Sequence, residues 1–449
     1  MTARPDPLRD LYKSLSGKGA LPLEPDDPYY VPILEGTPEK DPILMLWQRL
    51  DWSESESVNL LTGFRGNGKS TELRRLKKLL EEKSGAKVFL VDMLDFLLMT
   101  KPPELSDFVL SLMTALGRAV EQDEELDLSP LTHSYWERLQ RFLISEVRLE
   151  KFELDLKEIG APVKLGLKLK NEPDFKEQIQ KHLRGHLGRL IQDAQDYVVD
   201  LVQAIRKKVG DPDLKVVLLV DSVEQLRGVG TEAGEVHKSV VNLFSGQAAG
   251  LAFPQLHLIY TVPPYLQTLA PNLGRTLGGQ PIVSWPNVHV RDRDGGDDAA
   301  GLKVMENIID KRQSDWRDII PPDTLRRLAT CTGGDLRDFF RLVRECVVTL
   351  STARINRPEA DLDPEMVKRV EELLRNELLP LAADDARWLA QIHQTKDTVL
   401  KTTDNLPDLA RFLDGNLIMN YLNGEPWYDI HPLLAEEIKR HADDRRAEA

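Results

Sequence analysis

Residues 63–71 read Gly-Phe-Arg-Gly-Asn-Gly-Lys-Ser-Thr, a full match to G-x-x-x-x-G-K-[ST]. That spacing suits a loop that wraps phosphates: Gly63, Gly66 and Gly68 let backbone N–H groups turn inward, while Phe64, Arg65 and Asn67 fill the variable positions. Lys69 is placed to reach β- and γ-phosphates and the Ser70 hydroxyl to ligate Mg²⁺, and Thr71 belongs to a helix start whose partial positive charge favours the same anion. A second run, 214–220, is a strand-like apolar stretch that ends in Asp221-Ser222-Val223-Glu224. Asp221 at such a strand end can hold Mg²⁺ through water, because Mg²⁺ takes few protein carboxylates and keeps several waters. Glu224, three residues on, can polarise an attacking water; it also suits a helix start, where the dipole favours an acid in any case.

Positioning these groups takes a parallel sheet. Short β-rich runs alternate with helical stretches between about 58 and 290, the pattern of an α/β layer with helices on both faces. The strands are expected at 58–63, 87–91, 215–220, 256–262 and 281–290, the last weakened by Pro286. The first leads into the glycine-rich loop, and 71–79 continues at helical spacing, which is the strand–loop–helix order a phosphate loop needs.

Around this core the chain divides into an extended, Pro- and Asp-rich arm (1–40), an α/β core (41–298), a helical lid (299–358), a winged-helix-like domain (359–442) and a short tail (443–449). A long insertion at 95–213 is mostly helical in pattern. Within it, 152–156 and 163–170 alternate strictly about Gly160-Ala161-Pro162, which predicts a β-hairpin with Glu153 near Lys168 and a basic face of Lys164, Lys168 and Lys170. A single helical stretch is expected over 174–208. It carries His182 and His186 four apart, which without an acidic third ligand read as a solvated face. In the last domain, Asn423-Gly424 between two β-rich runs predicts a tight hairpin, because both central residues of a type I′ turn need positive φ.

These motifs resemble the AAA+ and STAND branch of P-loop ATPases, and in particular bacterial ATPases thought to serve in conflict or antiphage systems. Asp221-Ser222-Val223-Glu224-Gln225 is similar to the STAND pattern Asp-Gly-x-Asp-Glu and departs from it at the second, fourth and fifth positions. Many ATPases carry the catalytic glutamate where Ser222 stands. The resemblance places Thr261 as the sensor 1 residue. It places Arg337, in Thr332-Gly333-Gly334-Asp335-Leu336-Arg337, as sensor 2 near the γ-phosphate, and Arg275 where an arginine finger from a neighbouring subunit would be. β-propensity explains Thr261 equally well, and Arg337 could instead pair with Asp335 or Asp338. Tyr30 and Val31 are candidates to cover the adenine, with core packing as the other reading. What the resemblance implies is an ATP- and Mg²⁺-dependent switch acting on a partner protein, with a homo-oligomer open. The alternatives are a DNA-associated ATPase of initiator or transposition-regulator type, a nucleotide-binding scaffold without turnover, and a small-molecule kinase.

Charge bears on the partner. Asp and Glu total 73 against 59 Lys and Arg, a net charge of -14, and residues 357–449 hold 20 acids against 12 bases, a net of -8. Duplex binding draws most of its affinity from phosphate contacts, so this balance disfavours nucleic acid and leaves a protein partner as the expectation. No apolar run approaches the ~20 residues of a membrane span and no secretory signal is visible, so the expected location is cytoplasmic. Two cysteines, Cys331 and Cys346, exclude a disulfide framework or a four-cysteine zinc site within this chain.

Overall fold

The computed structural model describes residues 6–34, 40–146, 162–228, 233–398, 405–423 and 425–440. The chain forms two compact units, one of Pro42–Thr62 and Glu72–Ser284, the other of the chain up to Asp41, Gly63–Thr71 and the chain from Trp285 onward. The sequence blocks 41–298 and 299–442 therefore divide differently in space, because the phosphate loop groups with the C-terminal unit. Among the described residues no helix is long and apolar enough to cross a membrane.

The N-terminal arm is not wholly extended. Helix α1 (Pro7–Ser14) opens on Asp6, whose side chain accepts from the Arg9 N–H, with proline at the first helical position. The first unit begins with α2 (Pro42–Trp52) and holds a parallel sheet of β1 (Ser57–Thr62), β2 (Lys87–Asp92), β3 (Val216–Asp221), β4 (Leu256–Val262) and β5 (Val283–Ser284), ordered β2-β3-β4-β1-β5. Helix α3 (Lys69–Ser84) follows the phosphate loop. Every residue of β3 and β4 is buried, which is why both read as continuous apolar runs rather than alternating ones. Parallel register aligns Asp92 with Asp221 and Thr62 with Val262 and Ser284, so the five C-terminal strand ends share one edge. The fold of this unit is α/β, a five-stranded parallel sheet with helices. β5 is only two residues long, against the expected 281–290: past Ser284 the chain leaves the sheet, and Pro286 has no N–H for a ladder.

The insertion is α-helical throughout its described part, with α4 (Leu105–Glu121), α5 (Ser129–Glu146), α6 (Pro162–Asn171), α7 (Pro173–Leu183) and α8 (Leu187–Val209). The expected hairpin is thus corrected at 163–170, while 152–156, Glu153 and the turn residues Gly160 and Ala161 lie outside the described residues. The packing shows why. Alternation would bury Leu165, Leu167 and Leu169 together, but Leu165 and Leu169 are buried one helical turn apart and Leu167 is 44% exposed. Gly166 lets the helix press onto Phe96 and Thr114, where an added Cβ would lie 2.8 Å from the Phe96 ring. Lys168 pairs with Glu172, four residues on at the start of the next helix, at 3.8 Å and lies over the Phe175 ring. The stretch 174–208 is two helices rather than one, so His182 and His186 do not share a helical face. After β3 come α9 (Ala233–Val241), α10 (Pro264–Leu269) and α11 (Leu273–Leu277).

In the second unit α12 (Ala299–Arg312), α13 (Pro322–Cys331), α14 (Leu336–Asn356) and α15 (Pro364–Glu377) share one apolar core. Leu8, Leu11 and Leu15 of the N-terminal segment complete it, and a fully buried leucine contributes about 1.5–3 kcal/mol. This core also takes α15, which the sequence assigned to the winged-helix-like block. Helices α16 (Ala383–Thr395) and α17 (Leu406–Asp414) precede the antiparallel pair β6 (Ile418–Asn423) and β7 (Glu425–Ile430); a hairpin is present as expected, but its register sets Asn423 opposite Glu425, whereas a two-residue Asn-Gly turn would set Leu422 there. Gly424 and the tail at 443–449 lie outside the described residues.

Candidate functional site

The phosphate loop starts where β1 ends. Gly66 and Gly68 sit at φ +87° and +91°, the left-handed region that side-chain-bearing residues avoid. At Gly63 the constraint is space: an added Cβ would lie 2.6 Å from the Trp285 carbonyl oxygen and 2.8 Å from Asn67 Nδ2. Lys69 is only 3% exposed, and its ammonium donates to the carbonyls of Gly63 (2.9 Å) and Phe64 (2.6 Å) and to Asn67 Oδ1 (3.4 Å). A buried ammonium needs acceptors for its donors, and the loop supplies them from its own backbone. Ser70 is half-buried at the start of α3, and the Thr71 hydroxyl accepts from the Leu23 N–H at 3.1 Å. Phe64 is buried and Arg65 half-buried.

Asn67 and Trp285 hold each other reciprocally. The Asn67 amide donates to the Trp285 carbonyl at 2.9 Å, and the Trp285 indole N–H donates to the Asn67 carbonyl at 2.9 Å. The sequence reading missed Trp285. Its only local signal was a tryptophan next to Pro286 in a failing strand, and nothing local says that it reaches a residue 218 positions earlier.

Arg337 stands in the first turn of α14. Gly333 and Gly334, at φ +61° and +78°, turn the chain into α14, and an added Cβ on Gly334 would run into the Val288 carbonyl. Asp335 caps that helix by accepting from the Asp338 N–H at 3.0 Å, and burial, with Asp338 beside it, pushes its carboxyl well above the usual range. The first turn of α14 then rests on the loop: a Cβ built on Gly66 would meet Arg337 Cβ at 2.5 Å and Nε at 3.1 Å, and one on Gly68 would meet Leu336 at 3.6 Å. Arg337 is exposed and forms no salt bridge among the described residues; Asp338 pairs instead with Arg341 at 3.4 Å. The β6–β7 pair touches the same turn, with the Tyr421 hydroxyl donating to the Gly333 carbonyl at 3.1 Å.

Tyr30 and Val31 are half-buried, and Val31 packs against the α12–α15 core. The neighbouring segment is held there by Arg312, which donates to the Tyr29 carbonyl at 3.3 Å and lies over its ring.

The acidic group belongs to the sheet-bearing unit. Asp221, Glu224 and Thr261 are 4%, 5% and 0% exposed. Asp221 accepts from the Ser222 N–H at 2.8 Å. Ser222 has φ +68°, which gives a physical reason for glycine at that position in the STAND pattern and costs this chain some backbone strain. A single 3₁₀ turn, Val223–Gln225, then carries Glu224. Thr261 closes that turn: its hydroxyl accepts from the Val223 N–H (3.0 Å) and donates to the Val220 carbonyl (3.3 Å). Arg275 stands exposed on α11. Among the described residues no cluster of His, Cys, Asp and Glu could hold a metal by itself.

No protein-family model and no curated protein matches the chain. Similar solved structures include a Walker-type ATPase of Pyrococcus abyssi, at 14% identity over 89% of this chain and 94% of that one, TM-score 0.38. Another is the Aeropyrum pernix ORC2 protein in ADPNP–ADP complexes, at 11% identity over 98% of each chain, TM-score 0.37. A third is Cdc6p of Pyrobaculum aerophilum, at 13% identity over 94% of this chain and 98% of that one, TM-score 0.36. With all three TM-scores at or below 0.38, the chemistry of the site rests on its own residues.

Proposed function

We propose that the protein binds ATP with Mg²⁺ and hydrolyses it slowly, as a conformational switch of AAA+/STAND type acting on a partner protein. The observation that carries this is Arg337: an exposed cation with no salt bridge among the described residues, delivered by a helix start onto a glycine loop whose φ angles and close contacts leave no room for side chains. The cradle fits a polyphosphate. Backbone N–H groups of the loop and the N-terminus of α3 bind it, and Lys69 exchanges its carbonyl acceptors for phosphate oxygens. For Mg²⁺, which prefers hard oxygen donors, Ser70 is the candidate of the loop and Asp221, through water, the candidate of the sheet-bearing unit. Mg²⁺, if held there, would supply neutralisation of phosphate charge. Glu224 orients and polarises water, Thr261 holds the turn that carries Glu224, and Arg337 stabilises charge on the γ-phosphate. Arg275 serves as the finger if a second copy is needed. Partner control in a signalling or defence system is what the family resemblance adds.

The test is Mg²⁺-dependent phosphate release from ATP, measured with and without candidate acceptors. Release to water that disappears in Lys69→Ala supports the switch, transfer to an acceptor would make the protein a kinase, and binding without release would make it a scaffold. Tight duplex binding at physiological salt would favour the DNA-associated alternative.

A further inference from the structure

The reciprocal pair between Asn67 and Trp285 does more than tether two segments. In a trans peptide the C=O and the following N–H point in opposite directions. The indole fixes the carbonyl of Asn67, so it also fixes the N–H of Gly68 in the same peptide plane, aimed away from Trp285. The Trp285 carbonyl receives the Asn67 amide, and this orients Oδ1 of that side chain to accept from Lys69. It also closes the space beside Gly63, where a Cβ would lie 2.6 Å from it. One residue thus touches the loop at its first glycine, at its middle peptide and, through Asn67, at its lysine.

Trp285 is itself rigid. It is 1% exposed, and the chain just beyond it is anchored where the Val288 N–H donates to the Gly334 carbonyl at 3.3 Å, in the turn that launches Arg337. We propose that Trp285 is the positioning residue of the phosphate cradle: it presets the 67–68 peptide so that the Gly68 N–H faces the incoming phosphate. Pre-orientation of this kind strengthens binding because the donor is not reordered when the ligand arrives. The inference rests on the ATP-binding reading and goes beyond it by naming a residue outside the glycine motif.

The experiment uses full-length protein labelled with 5-fluorotryptophan, whose ¹⁹F spectrum resolves the 7 tryptophans. The Trp285 resonance is the one missing from Trp285→Phe, a change that removes the indole N–H and keeps an aromatic ring. Saturating ATP·Mg²⁺ is expected to shift this resonance, and Trp285→Phe is expected to bind a fluorescent ATP analogue roughly 3- to 10-fold more weakly, the effect of one lost hydrogen bond. A role in folding alone would lower the melting temperature without giving a nucleotide-dependent shift. If Trp285→Phe does not fold, Asn67→Ala identifies the resonance by moving it, because the amide donor to the Trp285 carbonyl is gone. Nucleotide binding with a stationary Trp285 signal and unchanged affinity in the variant would overturn the positioning role and leave the ATP-binding reading standing. Absence of any binding to the wild-type protein would overturn both.

Discussion

Lys69 and Asp221 are charges buried to nearly the same degree, at 3% and 4% exposure, but their surroundings are built differently. The lysine sits in a loop fixed by partners far away in sequence: Trp285 on Asn67, and Leu336 and Arg337 on Gly68 and Gly66. The aspartate sits at the end of a strand whose own next residue donates to it, and its turn is closed by Thr261 from the adjacent strand. The acidic group is therefore set by local backbone geometry and sheet register, whereas the cationic group is assembled by docking of a remote segment. Binding and turnover should therefore be separable by mutation.

The largest expected effect is on turnover. Glu224→Gln should lower ATP hydrolysis by roughly 10²- to 10⁴-fold and leave ATP affinity close to wild type, because only a transition-state role is lost. Equal losses in binding and turnover would break the division between the two groups.

Lys69→Ala comes next. It removes a charge-assisted contact of ~1.5–3 kcal/mol, which predicts roughly 10- to 150-fold weaker binding of a fluorescent ATP analogue. Wild-type affinity in this variant would remove the loop from the function altogether.

Thr261→Val probes the local closure of the acidic turn. It leaves the Val223 N–H buried without its acceptor and should cost about 1–3 kcal/mol in urea unfolding, with nucleotide affinity unchanged. A stability equal to wild type would show that the turn does not depend on this hydroxyl.

The smallest effect concerns Asp335. Its carboxyl titrates above the usual range, so the folded chain keeps this proton to higher pH than the unfolded chain does. The stabilisation is full below the ordinary carboxylate pKa and is lost as pH rises through the elevated one. Asp335→Asn keeps the oxygen that caps α14 and removes the titration, so relative to wild type it should gain melting temperature at pH 8 over pH 5. Parallel pH profiles for the two proteins would contradict the assignment.

How legible each part was in the sequence follows from the range of the interactions involved. The glycine loop, the acidic end of β3 and the Asn-Gly hairpin declare themselves because each is a local backbone requirement: a φ angle, a strand end, a chain reversal. The segment 163–170 misleads because its alternation of Leu and Lys fits a strand as well as a helix. What decided it was a surface formed by Phe96 and Thr114, which favours Leu165 and Leu169 one turn apart. β5 was overextended for a related reason, since 285–290 is largely buried without joining the ladder.

By itself the sequence determined the residues on offer: a G-x-x-x-x-G-K-S loop, a serine and an aspartate of the hard-oxygen type, and an arginine after a Gly-Gly turn. These depend on residue type and spacing along a few consecutive positions, where the chain has little freedom to place them otherwise. Only the tertiary structure decided that Trp285 holds Asn67, that Arg337 rests on Gly66, and that Thr261 closes the turn carrying Glu224. Those pairings lie 38 to 271 positions apart, so they are selected by burial and hydrogen-bond satisfaction over the whole fold and leave no periodic trace along the chain.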